Sequence, residues 1–212
     1  MSLAGKVSLI TGGAQGLGKK FGESLLQKGA KVCVADINQT KGETTVKDFT
    51  ERFGHGRALF VKCDVTSEKD FEHAFKRAKS EYGRIDIVCN NAGIGDETRW
   101  RQTIDVNLVG VMQGTILGIK YMRKDNGGEG GLIVNIASTA GLIPVDFMPA
   151  YVASKTGVVA YTRSWAENSL NRKTGIRFCA LCPSFADTIS SNCPIPKVST
   201  LLDLRWPLKW LV

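Results

Sequence analysis

Lys6-Val7-Ser8-Leu9-Ile10-Thr11-Gly12-Gly13-Ala14-Gln15-Gly16-Leu17-Gly18, a helical stretch to about Gly29, and then Lys31-Val32-Cys33-Val34-Ala35-Asp36 decide the fold of this chain. A short apolar run ending in glycines, a helix and a second apolar run ending in an acid make a βαβ unit of the dinucleotide-binding kind. The glycines let backbone approach a pyrophosphate, whose charge the helix N-terminus attracts. Their spacing is T-G-x-x-x-G-x-G rather than the general G-x-G-x-x-G. Taken alone, a glycine turn here also satisfies tight packing between a strand and a helix.

Asp36 ends the second strand, where a carboxylate accepts hydrogen bonds from adenosine ribose hydroxyls and repels a 2′-phosphate. Gln15, not a basic residue, precedes Gly16, and Lys19 and Lys20 read as solvent-facing. The expected cofactor is therefore NAD rather than NADP.

Further apolar runs follow at 58–62, 85–89, 132–136 and 176–181. Helical stretches lie near 16–29, 38–53, 67–82, 99–124 and 150–172. Strands alternating with helices predict an α/β fold, a doubly wound and mostly parallel sheet with helices on both faces and right-handed crossovers. Ligands of such sheets sit at the carboxyl ends of the strands, where Gly12, Asn91, Ser138 and Pro183 fall. The glycine-rich stretch 126–131 reads as a turn, not a boundary.

Ser138, Tyr151 and Lys155 carry the chemistry. Tyr151 and Lys155 are four residues apart on a predicted helix, hence on one face and about 6 Å apart in rise. A phenol has a pKa of about 10, and bringing it near 7 takes about 4 kcal/mol of selective phenolate stabilisation. An ammonium one turn away supplies part of that and a bound cation more. A serine from a strand end orients a substrate oxygen, and the set performs proton transfer at an alcohol or carbonyl. By itself a Tyr-x-x-x-Lys pair is most often a surface helix pair. The nucleotide unit is what lifts it.

Thr11-Gly12-x-x-x-Gly16-x-Gly18, Asn90-Asn91-Ala92-Gly93, Ser138, Tyr151-x-x-x-Lys155 and Pro183 occur in order. Together they resemble the short-chain dehydrogenase/reductase family over roughly residues 3–189. Ala14-Gln15-Gly16, Asn126 to Gly131, Ala140-Gly141-Leu142 and Thr162-Arg163-Ser164 resemble the NAD-dependent, prostaglandin-oxidising branch of that family. The resemblance implies that Tyr151 is the general base and that Ser138 orients substrate. It implies that Lys155 holds the nicotinamide ribose and that Asn107 holds a water linking Lys155 to solvent. Gly12, Gly13, Ala14, Gln15, Gly16, Leu17, Gly18, Asp36 and Ile37 would take the adenosine and pyrophosphate, and Cys63, Asp64 and Val65 the adenine. Asn91, Tyr151, Lys155, Pro183, Ala186 and Thr188 would take the nicotinamide end, and Ser138, Met148, Tyr151 and Phe185 the substrate. Asp64 could instead be an N-cap, and Asn107 a helix-kink residue.

Two residues depart from that branch. Met148 stands where glutamine is usual three residues before the tyrosine, and a thioether cannot hydrogen-bond a substrate oxygen as an amide does. Ser184 follows Pro183 where glycine is usual, and serine would be constrained if φ were positive. After Ser190 the resemblance ends: Pro194, Pro196 and Pro207 interrupt helices, and Trp206 and Trp210 sit near the terminus. We read 1–190 as the NAD-binding domain and 191–212 as a divergent tail, an alternative or truncated end lacking the family's last strand. Two functions follow: oxidation of a secondary alcohol, such as that of a hydroxylated lipid of the prostaglandin type, or a silent variant that binds NAD or pairs with a full-length subunit. The resemblance also implies a homodimer paired through the stretches 99–124 and 150–172.

At 212 residues the chain suits one domain with a substantial core. No run of about 18 apolar residues predicts a membrane span, and Met1 to Lys6 leads straight into the first strand, so the cytosol is the expected compartment. The net charge of +8 comes from Lys and Arg spread along helices, which argues against nucleic-acid binding. Cys33, Cys63, Cys89, Cys179, Cys182 and Cys193 fall mostly in strands as small apolar residues. Cys179 and Cys182 have C-x-x-C spacing without a second pair, and His55 and His73 lie in separate surface regions, so no metal site is expected.

Overall fold

A computed structural model describes residues 2–168 and 171–184. In chain order the elements are β1 (Val7–Thr11), α1 (Gly16–Gln27), β2 (Lys31–Asp36), α2 (Gln39–Phe53), β3 (Ala58–Lys62), α3 (Glu68–Tyr82) and β4 (Ile87–Asn90). Then come α4 (Trp100–Ile104), a π-helical turn (Asp105–Val109), α5 (Gly110–Met122), β5 (Gly131–Ile136), α6 (Pro149–Ala166), α7 (Asn171–Thr174) and β6 (Ile176–Leu181). The strands form one sheet in the order β3-β2-β1-β4-β5-β6, with every pair parallel. The order reverses between β1 and β4, so the chain leaves the sheet in opposite directions there and opens a crevice at the carboxyl ends.

Strand side chains alternate between faces, and both faces of this sheet are covered. Leu9 and Cys33 point to one side and pack with Phe71, Phe75, Val88 and Ile133. Ile10, Val32 and Val34 point to the other and pack with Leu26 and Phe49. This is the doubly wound sheet expected from the sequence.

Three boundaries differ from the sequence expectation. The stretch 99–124 is not one helix: it is α4, the π turn and α5. The turn widens where Asn107 is drawn inward, donating to the Ile94 carbonyl and accepting from the Ile94 amide, both at 2.8 Å. The stretch 150–172 is α6 followed by α7, which ends at Gly175 with φ of 69°. The strand at 85–89 begins later, because Asp86 is engaged below it by Lys6, Arg84 and the Val7 amide.

Cys33, Cys63 and Cys89 are buried, and burial pushes their thiols up to about 12, where they act as apolar groups. Cys179, by contrast, is exposed on β6, and Cys182 is half-buried. Phe185, Ala186, Thr188, Cys193 and the tail 191–212 lie outside the described residues. Among the described residues no helix is long and apolar enough to cross a membrane.

Candidate active site

β1 delivers the chain to Gly12 and Gly16, whose φ angles of 61° and 54° lie in the left-handed region that glycine tolerates. A Cβ on Gly18 would stand 2.2 Å from the Gly12 carbonyl oxygen and 2.6 Å from Asn91 Nδ2. The first turn of α1 therefore lies flat on the loop, a fit only glycine permits. Asn38 caps α2 and Ser67 caps α3, but α1 has no side-chain cap and no acid in its first turn. Its leading amides are left for an outside acceptor, which is what a pyrophosphate needs.

The acid at the end of β2 faces this loop. Asp36 Oδ2 accepts from the Ala14 amide at 3.0 Å, and Oδ1 accepts from the Asn38 amide at 2.9 Å. An ionised carboxylate has about four acceptor sites, so capacity remains for ribose hydroxyls. Ile37 beside it is 62% exposed, an apolar surface for a purine face. Cys63 and Val65 are buried behind the site. Asp64 is not an N-cap: its Oδ1 accepts from the Thr66 amide and hydroxyl, while Ser67 caps α3. Uncapped helix, close glycines and free carboxylate capacity together fit an adenine dinucleotide. Asn91 braces the loop, donating to the carbonyls of Thr11 at 2.9 Å and Gly12 at 3.0 Å.

Ser138, Tyr151 and Lys155 converge beyond β5. Lys155 is buried, donates to the Ile136 carbonyl at 2.8 Å and stands 5.6 Å from the Tyr151 ring centroid. Desolvation draws its ammonium down to about 8. Burial pushes the Tyr151 phenol up, and a hydrogen bond with Ser138 draws it back. The expectation of a phenol brought toward neutrality by its lysine thus finds only part of the means, because the ammonium is directed at a backbone carbonyl. Ser138 Oγ accepts from the Ala140 amide at 3.1 Å and faces the Pro183 carbonyl at 3.5 Å. No non-glycine among the described residues has positive φ, so Ser184 lies free of that strain.

Asn107 sits buried in the π turn. Its side-chain amide donates to Ile94 and, at 3.2 Å, to Ser154 Oγ. Any water held for Lys155 would therefore have to use the backbone opened by the π turn.

The family model described as short chain dehydrogenase matches residues 6–192. The chain belongs to the short-chain dehydrogenase family. The chain is 47% identical to mouse 15-hydroxyprostaglandin dehydrogenase [NAD(+)] over 188 residues, covering 89% of this chain and 70% of that one. It is 37% identical to 3beta-hydroxysteroid dehydrogenase 2 of Eggerthella lenta, covering 88% and 73%. The fold matches a crystal structure of a short chain dehydrogenase/reductase from Burkholderia phymatum in complex with NAD, with a TM-score of 0.82 and 29% identity over 89% of this chain and 68% of that one.

Three features of this short-chain dehydrogenase escape its motifs. Lys41 on α2 reaches across the glycine loop to Gln15 Oε1 at 2.6 Å, whereas Lys19 and Lys20 pair with Asp48 and Glu23. Met148 lies over Gly95, where a Cβ would meet Met148 Cε at 2.9 Å. Glu97 accepts from the amides of Ala150 and Tyr151, both at 2.9 Å. Only the last had a readable signal: Met148 and Pro149 begin α6 with no residue able to cap it.

Proposed function

We propose that this NAD-dependent oxidoreductase, acting on CH–OH, takes as its substrate the secondary alcohol of a hydroxylated lipid of the prostaglandin type. The observation that carries the chemistry is the meeting of Ser138, Tyr151 and Lys155 at the carboxyl end of β5. Tyr151 takes the hydroxyl proton, Ser138 orients the oxygen, and the buried Lys155 keeps a positive charge beside the phenolate. NAD supplies the hydride acceptor when bound.

Support for a lipid comes from the segment between Ser138 and Tyr151. Leu142, Ile143 and Phe147 are exposed there, an apolar surface on the segment that joins the two. Likeness to the mouse prostaglandin enzyme supports the same class. Residues 1–190 act as the catalytic domain, with 191–212 as a separate tail. Two chains pair through α6 and the outer surface of α4, the π turn and α5, where Trp100, Val109 and Ile116 are exposed.

NADH formation from NAD with prostaglandin E2, beside a panel of steroid and short-chain alcohols, tests this reading. Turnover of the prostaglandin ahead of the panel supports it, and Met148→Gln should lower KM for that substrate severalfold if an amide helps hold its oxygen. NAD binding without turnover of any alcohol would sink the enzyme reading in favour of a silent, NAD-binding variant.

A further inference from the structure

We propose that Glu97 is a positioning residue that sets the catalytic phenol by capping α6 from outside the helix. The inference rests on Tyr151 being the base. A helix leaves its first amides without partners inside the helix. Just ahead of α6 the Met148 amide donates to the Val145 carbonyl at 3.2 Å, and Pro149, the first helical residue, has no N–H. Val152 begins the internal ladder, donating to the Met148 carbonyl at 2.8 Å. Two donors remain, Ala150 and Tyr151, and both go to the Glu97 carboxylate.

Glu97 lies 54 residues before Tyr151, on the loop between β4 and α4. That loop is itself held. Asn107 grips Ile94 from both sides, and Asp96 ties down Thr98 and Arg99. Gly95 allows close approach to the helix: a Cβ there would meet Met148 at 2.9 Å and Tyr151 Cδ2 at 3.9 Å.

The other side of Tyr151 is tied to the same segment. Its carbonyl accepts from the Ser154 hydroxyl at 2.7 Å, and Ser154 Oγ accepts from Asn107 at 3.2 Å. Both peptide groups of the catalytic residue therefore lead back to 94–107, the N–H through Glu97 and the C=O through Ser154 and Asn107. A short, β-region N-cap side chain would have satisfied the helix locally. The long-range carboxylate instead fixes the helix start relative to the wall of the crevice, and with it the phenol relative to Ser138.

Glu97→Ala and the size-conserving Glu97→Gln, in the full chain, test this by amide hydrogen exchange, NAD titration and alcohol kinetics. The amides of Ala150 and Tyr151 should lose protection in Glu97→Ala. The kcat should fall about tenfold or more, as displaced catalytic groups do, with KM and NAD affinity within about threefold and partial recovery in Glu97→Gln. Unchanged exchange at both amides overturns the clamp. A loss confined to NAD affinity, or to thermal stability with kcat intact, overturns the positioning role. If the wild type turns over no alcohol, the proposed function has failed, and the exchange arm with the Tyr151 ring resonances decides this proposal: one sharp environment in wild type, several in Glu97→Ala.

Discussion

The two halves of the crevice are built by different means. On the β1–β3 side the cofactor surface is made of backbone: left-handed turns at Gly12 and Gly16, a bare Gly18 and the uncapped start of α1. Those glycines and that helix start lie within residues 12–18, braced from outside by Asn91. On the β4–β6 side the working parts are side chains joined over long separations. Glu97 holds Tyr151, Asn107 holds Ser154, and Ser138 faces Pro183. Backbone shape is enough to admit a phosphate, whereas proton transfer needs a hydroxyl placed to a fraction of an ångström. The first half is local because glycine's geometry is local. The second is distributed because the proposed catalytic groups come from two places, Ser138 after β5 and Tyr151 with Lys155 on α6.

The largest expected effect separates the halves cleanly. Tyr151→Phe should cut kcat by about a thousandfold with a far smaller change in the dissociation constant for NAD, read by fluorescence titration beside steady-state kinetics. A comparable loss of NAD affinity would mean that the two halves are not independent.

Next in size is the cost of burying Lys155. Because the folded protein draws its ammonium down to about 8 from 10.5, the unfolded chain binds more protons between those values. Stability should therefore rise with pH over that window, and the cost stays in full below pH 8. The difference amounts to about 3 kcal/mol. Chemical denaturation at pH 7.5 and pH 10.5 should show the rise in wild type and a flatter profile in Lys155→Met. Equal slopes would place the charge in a better-solvated site than the one seen.

Smallest is the reverse experiment on the backbone half. Gly18→Ala drives a Cβ against the Gly12 carbonyl, which cannot move aside as a flexible side chain does. A loss of about 1–3 kcal/mol of stability is expected, with weakened NAD binding and unchanged protection of the Ala150 and Tyr151 amides. If those amides open as well, the loop and α6 move as one unit.

Read from residues, the nucleotide half was legible as a layout. Gly12, Gly16, Gly18 and Asp36 stand where their spacing put them, and the strand pattern yielded the sheet. The catalytic half was legible as a list but not as an arrangement. Tyr151 and Lys155 share a face, yet the lysine turns to Ile136, because a buried ammonium takes the nearest strong acceptor. The π turn at Asp105–Val109 escaped a reading of 99–124 as one helix, since apolar periodicity carries no mark of a single widened turn. Asp64, given an adenine role by resemblance, spends one carboxylate oxygen on Thr66.

The sequence by itself determined the alternation of strands and helices, the glycine cradle and which side chains could do the chemistry. Periodicity and glycine spacing act within a few residues, where chain connectivity already fixes neighbours. Only the tertiary structure decided that Glu97 caps α6, that Asn107 is committed to Ile94 and Ser154, and that Lys155 loses its water. Those contacts join segments about 13–54 residues apart, and their partners are chosen by which buried donors and acceptors remain unsatisfied once the sheet has closed.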